Sequence, residues 1–369
     1  MQGTLPRILA VVLAMLMPSV AFAQAELPAD IATKSTLSSS DEQAVADWAR
    51  TNWALVNAES PEAAREARRR LTEPLVRRDT SAAFRLAMDQ GIGSELQQAI
   101  NGSDVYRGVN AALLTGWLAT DRAVRSLTSA SSSDQVAIRF AAISGLSNAF
   151  RAAGFAPVAF EGQVGNEAVT ALSDILTKAD DRSILDASVK ALIDAMAVPE
   201  AAIAGFGARS GERLTNAVGE RMNTLPMDAN LGARVTPLIR AMGEIRTAVT
   251  QRRGNIGASW QSAVMQMYGR AGALGFRYVR AERSGTIDAA NAQSIRGTVR
   301  TALQVAQTTP TLLQLPQATQ GRLSAANLVE NFQRSTQDDG DGYRRAYTNL
   351  LGALENDFSL PRDRFNIGG

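Results

Sequence analysis

The sequence predicts an all-α protein, and three observations support that class. No stretch of the 369 residues alternates β-branched with polar residues in the way that a half-buried strand does. Apolar residues instead recur at helical spacing, between short segments that carry Ser, Asp, Pro or Gly. Aromatic residues make up only 5% of the chain, so the core must consist of Ala, Leu, Val, Ile and Met. Such a core suits closely packed helices.

The first 23 residues predict a secretory signal peptide. Arg7 supplies a positive charge, Ile8 to Met17 is an unbroken apolar run, and Ala21-Phe22-Ala23 is an A-x-A cleavage site. A retained membrane anchor is the alternative, but the run is shorter than the about 20 residues that span a bilayer. We therefore expect cleavage after Ala23, export to the periplasm or the outside, and no integral membrane segment in the mature chain.

Residues 24–40 are mostly polar and predict a flexible leader. Ser40 and Gln43 have the spacing of a capping box, which predicts a helix from there to about Val56. Ser60 then predicts the N-cap of the next helix, with Pro61 at the tolerated first position.

From this point the helices are predicted to come in pairs. Four stretches share one layout, in which an apolar helix, a short turn with Ser or Asp and a second, alanine-rich helix follow one another. These stretches are Asn52–Leu75, Leu96–Leu118, Val124–Phe150 and Leu172–Met196.

Equivalent positions of the second helices carry similar residues. Arginine stands in the first turns of three of them, at Arg65, Arg107 and Arg139, and Leu185 takes that place in the fourth. A small or branched residue follows two positions on, at Ala67, Val109, Ala141 and Ala187. A leucine expected in the seam between pairs comes next, at Leu71, Leu113, Leu146 and Leu192.

This pattern resembles the HEAT and armadillo class of helical repeats, in which an Asp-rich turn precedes an arginine and an Ala-and-Leu helix. The resemblance covers roughly residues 45–200 and implies a superhelix with an extended binding surface. The aligned positions are 42, 32 and 46 residues apart, which is more ragged than the about 40–47 of such repeats. An irregular helical domain is the alternative.

The second half predicts a separate helical bundle. Gly154 to Gly165 is expected to be a loop, and the Gly-rich stretch Gly205 to Gly211 is expected to break the chain. We therefore place a HEAT-like region at residues 41–205 and a C-terminal helical domain at residues 206–369. Its predicted helices are Gly211–Thr224, Asn230–Arg252, Ile256–Arg283, Ile287–Thr308, Arg322–Ser335 and Tyr343–Asp357.

The chain contains no histidine and no cysteine, and this excludes much familiar enzyme chemistry. A Ser-His-Asp triad, histidine general-base catalysis and histidine-ligated metals are impossible. Thiol catalysis and zinc–thiolate or iron–sulfur sites are excluded as well. No disulfide can form, so stability must come from burying side chains.

Other candidate sites have weak signals. Ser188 and Lys190 are two residues apart, so on a helix they face different ways. Asp339 and Asp341 have the spacing of calcium ligands, but the glutamate of an EF-hand loop is missing. A solvated turn that caps the helix at Tyr343 is favoured there. We expect no cofactor.

Six arginines between Arg65 and Arg78 invite a polyanion-binding interpretation. The first four spread around the helix, however, and Arg77 and Arg78 are expected beyond its end at Pro74. Glu62, Glu66 and Glu73 are spaced for pairing with arginines. A self-paired, solvated helix surface is therefore predicted. With 38 basic and 36 acidic residues, the net charge gives no case for a nucleic-acid partner.

Two functions remain open. The first is a non-catalytic exported scaffold that binds a protein or an envelope polymer through its superhelical surface. The second is a carboxylate-only glycan-cleaving enzyme with the helical architecture of some lytic transglycosylases. Glu59 in the Glu59-Ser60 pair is its candidate, but an inter-helix turn is a poor position for a catalytic acid. Most of the tryptophans at 48, 53, 117 and 260 fall in apolar helical stretches and are expected in the core.

Overall fold

A computed structural model describes residues 27–28, 30–56 and 60–365, and the described chain is all-α, as the sequence predicts. The predicted signal peptide, residues 1–23, lies outside the described residues. The helices are, in chain order, α1 (Ser39–Val56), α2 (Pro61–Thr72), α3 (Ala82–Ile100), α4 (Val105–Leu118), α5 (Asp121–Ala130), α6 (Val136–Phe155), α7 (Gly162–Lys178), α8 (Arg182–Met196), α9 (Phe206–Thr224), α10 (Leu231–Gln251), α11 (Ala258–Arg283), α12 (Ala289–Thr308), α13 (Gln317–Ala325), α14 (Leu328–Arg334) and α15 (Asp341–Phe358).

The helices pack as a stack of pairs in two layers. Each odd-numbered helix from α1 to α9 packs against the helix that follows it and against the next odd-numbered one, so the odd-numbered helices α1 to α11 form the first layer. The even-numbered helices α2 to α12 contact one another in the same way and form the second layer. Stacks of helical pairs that contact only their neighbours have this form.

The pairs repeat at a regular interval. The first-layer helices α1 to α9 begin at residues 39, 82, 121, 162 and 206, which are 43, 39, 41 and 44 residues apart. These intervals lie close to the about 40–47 residues of helical repeats of the HEAT and armadillo type. The predicted second helices are α2, α4, α6 and α8. Their spacing is ragged because α5 is only 10 residues long, so α6 begins early.

The stack continues past residue 205. The first-layer helices α7 and α9 pack together there, and so do the second-layer helices α8 and α10. One cluster of buried apolar side chains extends from Ile31 to Phe365. The predicted division into residues 41–205 and 206–369 therefore does not correspond to a gap in the packing. Only α13 to α15 depart from the two-layer order, and they cover the end of the stack on α11 and α12.

The beginning of the described chain differs from the prediction of a flexible leader. Ile31 and Ala32 are buried, and the backbone N–H of Ser81 donates to the Ala32 carbonyl oxygen at 2.9 Å. The capping box at the start of α1 uses Ser38 and Asp41 instead of Ser40 and Gln43. Asp41 N–H donates to Ser38 Oγ at 3.2 Å, and Ser38 N–H donates to the Asp41 carboxylate at 3.3 Å. The cap at Ser60 is confirmed, because its Oγ accepts from the N–H of Ala63.

The predicted break at Gly205 to Gly211 is limited to one residue. Gly205 has φ of 66° in the left-handed region, and α9 begins directly after it. Gly207 lies inside α9, where a Cβ would be 2.5 Å from the carbonyl oxygen of Val198. It is therefore required for close approach and not for a turn. The predicted helix at residues 322–335 is divided into α13 and α14 by Asn327, whose φ is 40°.

A buried arginine joins the ends of three second-layer helices. Arg85 of α3 is completely buried, and its Nε donates to the Pro157 carbonyl oxygen at 3.0 Å. Its two terminal nitrogens donate to the carbonyl oxygens of Leu75, at 3.0 Å, and of Trp117. These carbonyls lie at or just beyond the C-terminal ends of α2, α4 and α6. Burial lowers the pKa of Arg85 to about 10, so the side chain stays charged at neutral pH.

Hydrogen bonds from an arginine to carbonyl oxygens at a helix end also occur in the first layer. Arg221 of α9 donates to the carbonyl oxygen of Ala179, just beyond the end of α7, at 2.6 Å. Arg277 of α11 donates to the carbonyl oxygens of Met222 and Leu225, at the end of α9, at 2.6 Å and 2.9 Å. The last carbonyls of a helix have no partner within it and carry partial negative charge. Arginines of the following helix therefore connect successive pairs.

Two glycines bring α4 and α6 into backbone contact. A Cβ at Gly116 would overlap the carbonyl group of Gly145, and one at Gly145 would lie 2.6 Å from the carbonyl oxygen of Ala112. Gly116→Ala should therefore lower the free energy of unfolding by about 1–3 kcal/mol, because the helices must separate. Chemical denaturation measures this change.

Gly154→Ala is the matched control, since a Cβ there meets nothing within 4 Å. It should be neutral or stabilising by up to about 1 kcal/mol, the helix propensity of alanine over glycine. Equal losses for both variants would contradict the close approach of α4 and α6.

Candidate partner-binding surface

The large apolar residues that are most exposed all lie in one part of the described chain, between residues 76 and 140. They are Val76, Leu86, Val105, Tyr106, Leu113, Val136 and Phe140. Five of these seven belong to α4 and α6, which are neighbours in the second layer. On monomeric proteins, contiguous exposed apolar patches larger than a few hundred Å² mark binding sites.

On α4 the exposed residues form a stripe of their own. Tyr106, Leu113 and Trp117 recur at helical spacing, and Tyr106 is 63% exposed while Trp117 is half-buried. The core side of the same helix is made by other residues, among them Ala111 and Leu118, which are completely buried. The helix α4 is therefore apolar on two sides, and only one of them packs into the core.

Val136 and Phe140 form the corresponding stripe at the start of α6, with exposures of 51% and 43%. The backbone contact at Gly116 and Gly145 holds α4 and α6 against each other. We refer to Tyr106, Leu113, Val136 and Phe140 together as the α4–α6 surface.

A groove of about 320 Å³ lies between α2 and α4, because these two helices contact each other less than the other neighbouring helices of the second layer do. The groove adjoins the α4–α6 surface. We call it the α2–α4 groove. Its lining contains three arginines and no carboxylate. The lining residues are Trp53, Arg65, Arg68, Arg69, Thr72, Asn110, Leu113, Leu114 and Trp117.

The predicted self-pairing of the arginine-rich segment is borne out by the ion pairs along α2. Arg65 pairs with Glu62, while Arg69 and Arg70 both pair with Glu66. Such exposed pairs contribute little to stability. Arg68 differs from them because it donates to the side-chain oxygen of Asn110 at 2.8 Å and has no carboxylate partner in the described chain.

Leu113 differs from its sequence prediction. The leucine pattern predicts it in the seam between pairs, yet it is 37% exposed, and Leu114 beside it is buried in its place. The equivalent leucines at 71, 146 and 192 are completely buried, as expected. Tyr106 and Phe140 were not singled out from the sequence. The signal was present, since the spacing of Tyr106, Leu113 and Trp117 marks a second apolar side of the helix. Trp48, Trp53 and Trp260 are in the core, as predicted.

The weak calcium candidates do not come together with other carboxylates. Asp339 lies 3.7 Å from Arg283, and Asp341 lies 3.1 Å from Arg344. The described residues contain no group of three or more carboxylates that could hold a metal ion. The turn is capped by Asp338, whose carboxylate accepts from the N–H groups of Gly340 and Gly342.

Lys190 meets a different serine from the one considered in the sequence. Ser188 is completely buried, whereas Lys190 donates to Ser147 of α6 and to Asp194, both at 2.7 Å. Ser147 in turn donates to the Asp194 carboxylate. The cluster therefore joins α6 to α8 through an ion pair and the hydroxyl of Ser147.

Glycoside cleavage needs a carboxylic acid whose pKa is raised. Glu59 lies outside the described residues. The carboxyls whose pKa is displaced all lie below their usual range, namely Asp41, Glu66, Asp79, Asp181, Asp228 and Asp288. Asp89 is buried, but it is engaged by Thr120 Oγ1 at 2.9 Å and by Arg122 at 3.1 Å.

No family model and no curated protein sequence matches this chain. It is similar to two solved structures that are each described as an engineered protein. The first is 16% identical and covers 71% of this chain and 97% of its own, with a TM-score of 0.36. The second is 14% identical and covers 88% and 93%, with a TM-score of 0.24. Among the described residues, no helix has both the length and the apolar character to cross a bilayer.

Stability should not change between about pH 5 and 9, because no histidine or cysteine titrates there. Hydrogen bonds from Arg69 and then Arg70 lower the pKa of Glu66 from 4.5 to about 2. The stabilisation from this group is present above about pH 4.5 and is lost as the pH falls towards 2.

Burial raises the pKa of Tyr343. Folding is therefore favoured below about pH 10 and weakened above it. Thermal unfolding measured from pH 3 to 11 tests this profile, and a step near pH 6.5 would contradict it.

Proposed function

We propose that this chain is an exported helical scaffold that binds a protein partner through the α4–α6 surface. The observation that carries the proposal is the concentration of exposed large apolar side chains on two adjacent second-layer helices. Aromatic residues such as Tyr106 and Phe140 are the residue types that dominate binding energy at protein interfaces. Export is supported by Arg7, the apolar run that follows it and the cleavage motif ending at Ala23.

The chemistry of the surface favours a protein over a glycan. Sugar-binding clefts present open aromatic faces, whereas in the adjoining α2–α4 groove Trp53 is 1% exposed and the guanidinium of Arg151 lies over the ring of Trp117. The absence of histidine and cysteine from the sequence supports a role in binding over one in catalysis. The shape of a two-layer stack provides the extended surface on which such scaffolds bind.

Replacing the two exposed aromatic residues should abolish binding of the partner. The mature chain, residues 24–369, is immobilised and exposed to envelope extract, and retained components are identified by mass spectrometry. The double variant Tyr106→Ser/Phe140→Ser should lose the stoichiometric protein partner of the wild type, with at least about 2 kcal/mol of binding energy lost.

Leu86→Ser is the matched control, because Leu86 is 44% exposed but lies on α3 in the first layer. This variant should retain the partner. Retention by the double variant, or recovery of glycan fragments alone, would overturn the proposal. So would a wild-type chain that retains nothing above the bare support.

A further inference from the structure

Three arginines around the α2–α4 groove lack carboxylate partners in the described chain. The guanidinium of Arg68 contacts the amide of Asn110, that of Arg107 lies 5.9 Å from the ring centre of Trp53, and that of Arg151 lies 5.5 Å from that of Trp117. Each is held by a neutral amide or an aromatic face. Their positive charge is therefore not balanced by a neighbouring carboxylate.

Other arginines of the second layer differ from these three because they do have carboxylate partners. Arg65, Arg69 and Arg70 on the same helix as Arg68 all pair with glutamates. The carboxylates of α2 thus face along their own helix towards these arginines, and none of them lines the groove. Of the lining arginines only Arg68 lacks a carboxylate partner in the described chain, and Arg107 and Arg151 lie against the lining residues Trp53 and Trp117. The positive charge of these three arginines attracts a negatively charged occupant.

The apolar floor of the groove restricts the kind of molecule that fits there. Leu113, Leu114 and Trp117 make it apolar, and Leu113 also belongs to the α4–α6 surface, so the two features are continuous. A nucleic acid or another uniformly charged polymer would leave this floor unfilled. A peptide segment with apolar side chains flanked by Asp or Glu fits both the floor and the rim.

We infer that the α2–α4 groove binds an acidic, amphipathic peptide segment of the protein partner. Carboxylates of this segment receive hydrogen bonds from Arg68 and attraction from Arg107 and Arg151, while its apolar side chains lie against Leu113 and Trp117. The inference rests on the proposed function, since it identifies which part of the partner adjoins the α4–α6 surface.

Selection of peptides against the whole mature chain tests this inference. A random peptide library displayed on phage is panned on residues 24–369, and enriched peptides are synthesised with a fluorescent label. Enriched sequences should be acidic with Leu, Phe or Trp among the acidic residues. Their affinity, measured by anisotropy, should fall about tenfold or more in Arg68→Met, the loss expected for one charge-assisted hydrogen bond. Arg107→Met at the exposed rim should weaken it less.

Arg300→Met is the matched control, because Arg300 is an exposed arginine on α12, far along the stack, and it should bind the peptides as the wild type does. Neutral or basic enriched peptides, equal affinity in Arg68→Met, or no enrichment at all would overturn the inference. Equal competition by a single-stranded oligonucleotide would do so too. Partner retention that depends on Tyr106 and Phe140 but not on Arg68 would leave the proposed function intact and remove only this inference.

Discussion

The second layer depends on one buried cation. Arg85 projects from α3 and donates hydrogen bonds to carbonyl oxygens at the ends of α2, α4 and α6, and its side chain is completely buried. These carbonyls are unpaired within their own helices, so a guanidinium with donors in several directions can satisfy three helix ends at once. The loops after α4 and α6 are joined there as well, by a parallel bridge between Thr120 and Ala159. These contacts together fix the spacing of α2, α4 and α6 at their C-terminal ends.

The candidate binding surface is a consequence of that spacing. Backbone contact at Gly116 and Gly145 holds α4 against α6, whereas α2 stands apart from α4 and leaves the groove between them. A surface whose helices are fixed at their ends needs little ordering when a partner binds, and this favours affinity. Arg221 and Arg277 extend the same principle along the first layer. Surface ion pairs such as Arg65 with Glu62 contribute much less.

Features set by local sequence were predicted well. The all-α class, the cap at Ser60 and most helices of the second half depend on patterns within a few residues of one another. Features set by distant contacts were not. The burial of Arg85, the exposure of Leu113 and the close packing at Gly207 depend on which neighbour the stack places beside each residue. A glycine that is required for a turn cannot be distinguished in the sequence from one that is required for the close approach of two backbones.

Hydrogen exchange in Arg85→Met tests the account most directly, at a temperature where the variant remains folded. Loss of the guanidinium removes the donor to the carbonyl oxygens of Leu75, Trp117 and Pro157. Amides near the C-terminal ends of α2, α4 and α6 should therefore exchange at least about tenfold faster than in the wild type, while those of α9 to α12 keep their protection. Arg300→Met should match the wild type throughout. Unchanged protection at the three helix ends would show that Arg85 does not hold the second layer together.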